Sequence, residues 1–352
     1  MRPVKIHVMP TRMKKLACLF AAVLVVPLAR ADVLDPSHYA RHQVFRFAGY
    51  TGTEILTDFP VLIRVSRAHN DFHYDACKVP GGGDLRFSDA DGNLLPSEVE
   101  RWDPSGESLV WVKVPTLTLD TVITMHYGCA NPDPVSPTDV WDAHYLGVWH
   151  LGAAAGESTQ PDSTAYDHPL AINATNSNGV ACGANGVAGL AAATGLRPDG
   201  RGCFSYSDRS WFFDGFSACT VEAWTFQNHH AVGANAADGH VLRHGGPNTT
   251  DWHLCESTNG KMVFQMKPLV GETIVPADSA PKPARAAWNH TAFAWDGSSG
   301  ECAGYLNGSV LELEANSIKA AYWKGTVATN TTGFNASARL PRGPSAWAPL
   351  SW

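Results

Sequence analysis

Residues Asp84–Trp102 read DLRFSDADGNLLPSEVERW, and this stretch decides how the first part of the chain is interpreted. An acidic turn around Gly92 separates two runs in which polar and apolar residues alternate. Alternation with a period of two is typical of half-buried β-strands, and Asp, Asn and Gly are favoured in tight turns. We therefore predict a hairpin whose turn is DADGN (89–93).

The same acidic residues could form a calcium loop. Asp89, Asp91, Asn93 and Glu100 fall at positions 1, 3, 5 and 12 of such a loop. The glycine, however, stands at position 4 rather than 6, and the flanking runs alternate instead of following a helical period. The hairpin interpretation is favoured over the calcium loop.

A third interpretation is catalytic. Glu98 and Glu100 are two residues apart and share one face of a strand, as do Glu312 and Glu314 in LELEA (311–315). Glycoside hydrolases need two carboxylates about 5–9 Å apart across a cleft. A solvated strand face explains both pairs equally well, and it is the favoured interpretation.

The remainder of the chain has the same strand-rich character. Short alternating runs such as SLVWVKVP (108–115) precede the proline-rich segment NPDPVSPTD (131–139), and runs such as CTVEAWTF (219–226) follow it with longer loops. Asn-Gly pairs, as at 307–308, are typical of two-residue hairpin turns. We predict an all-β protein with two β-sandwich domains. The predicted divisions are a signal peptide at 1–31, a first domain at 32–130, a linker at 131–140, a second domain at 141–337 and an irregular tail at 338–352, where truncation or a frameshift is suspected.

The first 31 residues have the composition of a secretory signal. They contain six basic residues and no acidic one, an apolar run at Leu16–Leu28, and the small-x-small sequence Ala29-Arg30-Ala31. The apolar run is too short to span a bilayer. We therefore expect an extracytoplasmic protein, whether secreted, periplasmic or on the cell surface, with no membrane insertion of the mature chain.

Charge and cysteine content narrow the partners and the compartment. Removing residues 1–31 takes away six of the 26 basic residues and none of the 33 acidic ones, which leaves a formal charge of −13. Such a surface disfavours nucleic acid as a partner. Seven of the eight cysteines remain, none in a CxxC pair. Cys77 and Cys129 are the only two before the proline-rich segment, so we predict that they form a disulfide.

No nucleophile-elbow, zinc-protease or phosphate-loop motif occurs in the chain. The aromatic residues are more informative because sugars stack on exposed rings. Trp211 begins a Trp-Phe-Phe cluster and is a candidate ligand platform. Trp149, Trp224 and Trp288 lie within apolar strands, and we predict that they belong to the core.

Two blocks resemble known families. The runs TDFPVLIRV, GGGDLRFSDADGNLLPSEVERWDPSGESLVWVKVPTL and TMHYG resemble an uncharacterised β domain of exported bacterial proteins, over about residues 40–130. GVWHL (147–151), PDSTAYDHPL (161–170) and WNHTAFAWDGSSGECAGYLNG (288–308) resemble the laminin-G-like, concanavalin A-type jelly roll. That resemblance implies a closing strand, which this sequence lacks where it reads GFNASARLPRGPSAW.

The jelly-roll resemblance also implies binding rather than catalysis. Such domains bind glycans or proteins through rim loops, some with calcium. Asp162 and Asp167 are therefore candidate ligand or calcium contacts, although both also suit a plain turn. We predict a non-catalytic binding protein that recognises carbohydrate or an extracellular partner. The alternatives are a glycan-active enzyme on a concanavalin A-like sandwich and the exported portion of a larger cell-envelope assembly.

Overall fold

The structure is a computed structural model that describes fifteen stretches of the chain. These are residues 4–8, 32–47, 50, 54–172, 181–186, 189–193, 204–205, 218–226, 239–246, 249–256, 260–266, 272–274, 276, 279–296 and 301–313. Trp211 lies outside them.

Strands dominate the described residues, which bears out the all-β prediction. The first eight strands are β1 (Val4–Val8), β2 (Arg41–Arg46), β3 (Leu56–Val65), β4 (Arg86–Ser88), β5 (Leu94–Leu95), β6 (Ser97–Arg101), β7 (Ser108–Leu117) and β8 (Val122–Tyr127). The others are β9 (Tyr145–Trp149), β10 (Thr159–Gln160), β11 (Leu170–Ile172), β12 (Ala181–Gly186), β13 (Gly189–Ala193), β14 (Phe204–Ser205), β15 (Ala218–Phe226), β16 (Gly239–Gly246), β17 (Thr249–Glu256), β18 (Met262–Met266), β19 (Glu272–Ile274), β20 (Trp288–Asp296), β21 (Glu301–Leu306) and β22 (Ser309–Leu311).

Helical structure in the described residues is confined to short turns. One four-residue α-helix, α1, covers Arg67–Asn70. Single 3-10 turns lie at Pro36–His38, Tyr74–Ala76, Pro80–Gly82 and Pro137–Val140.

The chain divides into two units with a boundary between Val140 and Trp141. We call residues 32–140 the N-terminal unit, and Val4–Val8 together with the residues from 141 onward the C-terminal unit. Strand β1 belongs to the C-terminal unit although it comes first in the chain. It lies inside the segment that the sequence predicts to be a signal peptide.

The N-terminal unit contains two antiparallel sheets, ordered β2-β8-β4-β5 and β3-β7-β6. Aromatic residues between α1 and β4 join them. Phe72 packs on Tyr127 of the first sheet at 4.8 Å between ring centroids. The Tyr74 hydroxyl lies 2.9 Å from the Val65 carbonyl and 3.0 Å from the Ser108 hydroxyl of the second sheet. Burial of these rings on both sheets makes one core.

Residues 131–140, predicted as a linker, are part of the N-terminal unit. The 3-10 turn Pro137–Val140 lies against β6 and β7, and Val140 is fully buried. This cover explains why the central strand β7 is buried on both faces instead of showing simple alternation.

The C-terminal unit contains a six-stranded antiparallel sheet, β22-β21-β20-β15-β1-β9, and a four-stranded one, β16-β17-β18-β19. Two smaller sheets, β10-β11-β14 and β12-β13, accompany them. Phe264 of the four-stranded sheet stacks on Phe293 of the six-stranded sheet at 6.3 Å, and both side chains are buried. These two sheets therefore face each other across a core.

The cross-strand register shows which face of the six-stranded sheet points inward. Val221 lies opposite Phe293, so these two side chains share the core face. The alternate residues, beginning with Glu222 and Trp224 on β15, lie on the opposite face, which we call the outer face.

Two local features follow from the sequence. Asn307 and Gly308 both have positive φ, 50° and 82°, and close the hairpin between β21 and β22, as the Asn-Gly pair predicts. In β9 the indole of Trp149 lies over Gly147, where a Cβ atom would stand 2.2 Å from the ring. Only glycine leaves room for the ring in that position.

Candidate functional site

The DADGN segment is a hairpin turn between β4 and β5, so the hairpin prediction is confirmed. Asp89 Oδ1 accepts hydrogen bonds from the backbone N–H groups of Asp91 (3.0 Å) and Asn93 (2.8 Å). Asp89 Oδ2 accepts one from Asn93 Nδ2 (2.8 Å), and Gly92 has φ +84°. The carboxylate that would be the first calcium ligand is used within the turn itself.

The acidic face of β6 is tied to a tryptophan. Trp111 Nε1 donates to Glu100 Oε2 at 2.6 Å, and Glu98 lies opposite Trp111 in the β6–β7 register. Both glutamates are partly buried. The Glu100 carboxylate therefore satisfies a buried indole N–H, a structural role of the kind that a buried Trp requires.

Asp84 is the most deeply buried carboxylate of the N-terminal unit. Its side chain is fully buried, and Oδ2 accepts hydrogen bonds from Lys78 N (2.9 Å) and Gly128 N (2.8 Å). The carboxylate thus fixes the loop before β4 to the end of β8. A buried charge is tolerated when backbone donors satisfy it, so this group is an anchor for the backbone.

Arg86 and Tyr39 hold the chain that follows β8. Arg86 Nη1 donates to the carbonyls of Gly83 (3.0 Å) and Leu85 (2.6 Å), and Nε donates to the carbonyl of Asp133. The Tyr39 hydroxyl donates to Asp133 Oδ2 at 3.0 Å. Burial raises the pKa of Tyr39 to about 12 and lowers the pKa of Arg86. These bonds attach the predicted linker to the unit.

Ser88 and His126 form a buried pair that the sequence did not reveal. Ser88 Oγ lies 3.0 Å from His126 Nε2, and the two residues are only 4% and 6% exposed. Burial lowers the pKa of His126. Among the described residues, Nδ1 of His126 has no hydrogen-bond partner, so the carboxylate that would orient a catalytic histidine is missing there. Substrate has no access to so buried a hydroxyl.

Asp162 and Asp167, predicted as ligand or calcium contacts, have different surroundings in the structure. Asp162 Oδ1 accepts hydrogen bonds from Val148 N (2.9 Å) and Thr164 N (3.0 Å). Oδ2 accepts them from Thr164 Oγ1 (2.8 Å) and His168 N (3.0 Å). Four donors occupy this carboxylate, which organises the loop. Asp167 is exposed, with φ +52°.

The described residues contain no group of three or more His, Cys, Asp and Glu side chains placed to hold a metal ion. The calcium hypothesis therefore has no assembled ligand set in that part of the chain.

The outer face of the six-stranded sheet carries a cluster that sequence reasoning missed. His290 Nε2 lies 3.2 Å from Glu222 Oε2, and the rings of Trp224 and His290 are 5.2 Å apart. Beside them, Phe226 and Trp288 pack edge to face at 5.6 Å. We call Trp224, Phe226, Trp288 and His290 the aromatic row. The pairing of β15 with β20 brings these residues together.

This arrangement corrects the core prediction for two tryptophans. Trp149 is buried, as predicted. Trp224 and Trp288 are only partly buried and lie on the outer face, and Phe226 is 43% exposed. Burial raises the pKa of the Tyr145 phenol, and the nearby Glu222 carboxylate raises it further. A strand that is apolar on both faces does not show by its pattern which face is inward.

Cys77 and Cys129, predicted as a disulfide pair, both carry free thiols in the structure. Their neighbours Lys78 and Gly128 are joined through Asp84 Oδ2. Burial raises the pKa of Cys77 to about 12, with Asp84 a second cause. A raised pKa disfavours the thiolate that disulfide exchange requires.

Comparison with known proteins supports part of the first resemblance. Residues 81–144 match the family model described as domain of unknown function (DUF2341). No curated protein and no solved structure matches the chain. Among the described residues, no helix has both the length and the apolar character needed to cross a membrane. The uncharacterised β domain is thus supported over residues 81–144, where DADGN and the buried network around Asp84 lie.

Proposed function

We propose that this chain is an exported, non-catalytic binding protein that recognises carbohydrate on the outer face of its six-stranded sheet. The observation that carries the proposal is the aromatic row beside the Glu222–His290 pair. Phe226 and the two partly exposed tryptophans offer ring surface, and the buried Glu222 and partly buried His290 beside them can hydrogen-bond to hydroxyls. We take the unit to be a concanavalin A-like jelly roll, which two facing antiparallel sheets support.

The chemistry of the outer face suits a sugar. Aromatic rings offer a rigid apolar surface, on which the C–H face of a pyranose can stack. A carboxylate accepts hydrogen bonds from hydroxyls, and an imidazole can donate or accept one. Binding sites combine an apolar lining with a few placed polar groups in this way. Phe226 is the most exposed ring of the row, at 43%, and we assign it to the outer edge of the site.

Binding is favoured over hydrolysis because the other acidic residues considered have structural partners. Glu100 accepts from Trp111 and Asp162 from three residues. Glu222 is the acidic residue of the outer-face cluster, whereas a glycosidase needs two carboxylates about 5–9 Å apart. An enzyme would cleave bound glycan, whereas a site built around Glu222 alone favours binding without cleavage.

Export is part of the proposal, and it rests on the composition of residues 1–31. The fold of the N-terminal unit supports it. The Asp32 carbonyl accepts a hydrogen bond from Leu94 N (2.8 Å), and Leu34 N donates to the Gly92 carbonyl (3.0 Å). The residue after Ala31 is thus already held against the DADGN turn, so cleavage there leaves these contacts in place.

The test is a glycan array probed with the exported chain, with and without a chelator. We expect binding that chelation does not change, because protein donors occupy the Asp162 carboxylate. Trp224→Ala and Phe226→Ala should each weaken affinity by about tenfold, the order expected for loss of one stacked ring. Bound oligosaccharides should remain uncleaved.

The matched control is Tyr166→Ala. Tyr166 is an exposed aromatic residue, 44% exposed, on the Asp162 loop, so its loss should leave affinity unchanged. Loss of binding in Tyr166→Ala, with none in Phe226→Ala, would move the site to the loop. Absence of binding to every glycan in both conditions would remove the proposal.

A further inference from the structure

The position of β1 in the six-stranded sheet is unusual. Val4–Val8 lies between β9 and β15 and is antiparallel to both. Lys5 is opposite Glu222 on one side and Val148 on the other, and Ile6 is opposite Val221 and Gly147. In the sheet order, β9 and β15 have no direct pairing with each other. An interior position of the sheet is therefore filled by the first residues of the chain.

Those residues belong to the segment that export would remove. Val4–Val8 precedes the apolar run Leu16–Leu28 and the cleavage sequence Ala29-Arg30-Ala31. After cleavage, β9 and β15 would stand two strand spacings apart, roughly 9–10 Å, with a strand-wide gap between them. The inference below rests on the export that forms part of the proposed function.

Loss of β1 would leave the backbone groups of β9 and β15 that pair with it without partners. With β1 in place, its neighbours Val148 and Val221 are 0% and 2% exposed, so its loss would also uncover apolar side chains. Backbone N–H and C=O groups carry a free-energy cost when they are buried without a partner. An interior gap is also bounded on both sides, so one added strand satisfies two ladders at once. An edge strand offers only one.

We propose that in the exported protein the position between β9 and β15 is an acceptor for an extended segment of a partner protein. The segment pairs antiparallel with both neighbours over about five residues, as β1 does. It alternates β-branched with basic residues and places a basic residue opposite Glu222, the register position of Lys5. A basic residue is required there because opposite charges on paired strands attract, and because the exported chain is strongly acidic.

The test uses the exported chain, with its N-terminus determined by mass spectrometry, and a capped peptide of residues 2–9, RPVKIHVM. We expect a first residue of Asp32, saturable binding by fluorescence anisotropy, and a Tm that rises by about 5 °C at saturating peptide. The peptide with Ile6→Pro should bind at least tenfold more weakly, because proline removes a ladder N–H. The peptide with Lys5→Glu should also bind more weakly, since it places like charges opposite each other.

Each other outcome overturns the proposal. Retention of residues 1–31 in the exported protein would make β1 a resident strand. No binding of RPVKIHVM to a chain that begins at Asp32 would mean that the position is closed, for example by the chain's own residues 314–352. Peptide-sensitive dimerisation would make a second copy the occupant. Glycan binding that requires Trp224 is measured separately, so failure here leaves the carbohydrate proposal standing, and the reverse also holds.

A second measurement keeps the register testable without export. In the full-length chain, expressed without translocation, Ile6→Pro should lower the Tm by several degrees because it breaks an interior strand. Ile6→Val should change it little. An Ile6→Pro chain as stable as the parent would show that Val4–Val8 does not hold this position.

Discussion

The buried network of the N-terminal unit and the outer face of the C-terminal unit both contain charged side chains, but they use them differently. Asp84 and Arg86 form hydrogen bonds with backbone groups, including those of Gly128 and Asp133, which are distant in sequence. On the outer face, Glu222 and His290 contact each other beside partly exposed rings. Asp84 and Arg86 therefore hold the backbone, whereas Glu222, which is 9% exposed, and His290 lie beside the partly exposed rings of the aromatic row, where we propose that carbohydrate binds.

The largest loss of stability is expected from Asp84→Ala. The change removes the buried carboxylate that accepts from the N–H groups of Lys78 and Gly128, and each hydrogen bond to a charged group that is lost costs about 1.5–3 kcal/mol. We expect the free energy of unfolding to fall by about 3–5 kcal/mol, measured by urea denaturation. Asp89→Ala is the control, because its bonds are local ones within a partly exposed turn, and it should cost about 1 kcal/mol.

If Asp84→Ala costs no more than Asp89→Ala, the network does not hold the N-terminal unit together. The buried network would then have no larger structural role than the partly exposed Asp89 has.

A loss of stability of intermediate size is expected when the pH is lowered. Burial lowers the pKa of His126 in the folded protein, so the neutral imidazole is the native form. The stability that this provides is complete above the unfolded pKa, about 6.5. It is lost as pH falls from there towards the folded pKa, because the unfolded chain binds a proton that the folded chain does not. The groups facing the ring are Ser88, His42 and Arg86 on the neighbouring strands and the Tyr39 ring.

The measurement is Tm between pH 7 and pH 5. Tm should fall in the parent protein as pH falls. The free energy of unfolding should decrease by at most about 1.4 kcal/mol per pH unit, the value for uptake of one proton. The slope should be smaller in His126→Gln. His38→Gln serves as the control because His38 is exposed, and it should follow the parent. Equal slopes in the parent and His126→Gln would exclude His126 as the source.

The strands and the DADGN turn could be predicted because their signals are local. Alternation marks a strand within five to ten residues, and Gly92 supplies positive φ where the turn needs it. The sites could not be predicted in the same way. Asp84 meets Gly128, and Glu222 meets His290, only after strands distant in sequence have paired. Their spacing carries no signal of that register.

Two other differences have physical reasons. Trp224 and Trp288 are predicted in the core because their strands are rich in apolar residues, but apolar residues occur on both faces and so do not show which face is inward. Strand β1 is not predicted from the sequence, because the basic residues and the lack of acidic ones in residues 1–31 indicate a signal peptide. VKIHV itself alternates β-branched and basic residues, which suits a strand, and Lys5 lies opposite Glu222 in the register.

The smallest effect on stability should come from Glu222→Gln, which should reduce carbohydrate affinity instead. Glutamine keeps the size of the side chain and can still contact His290, so the free energy of unfolding should change by only about 1 kcal/mol, the net contribution of one hydrogen bond. Carbohydrate affinity should fall several-fold, because a charged acceptor binds hydroxyls more strongly than an amide does. Calorimetric titration with the best glycan of the array, beside urea denaturation, separates the two quantities. A loss of stability as large as that of Asp84→Ala would place Glu222 with the structural carboxylates and leave the outer face without its polar ligand group.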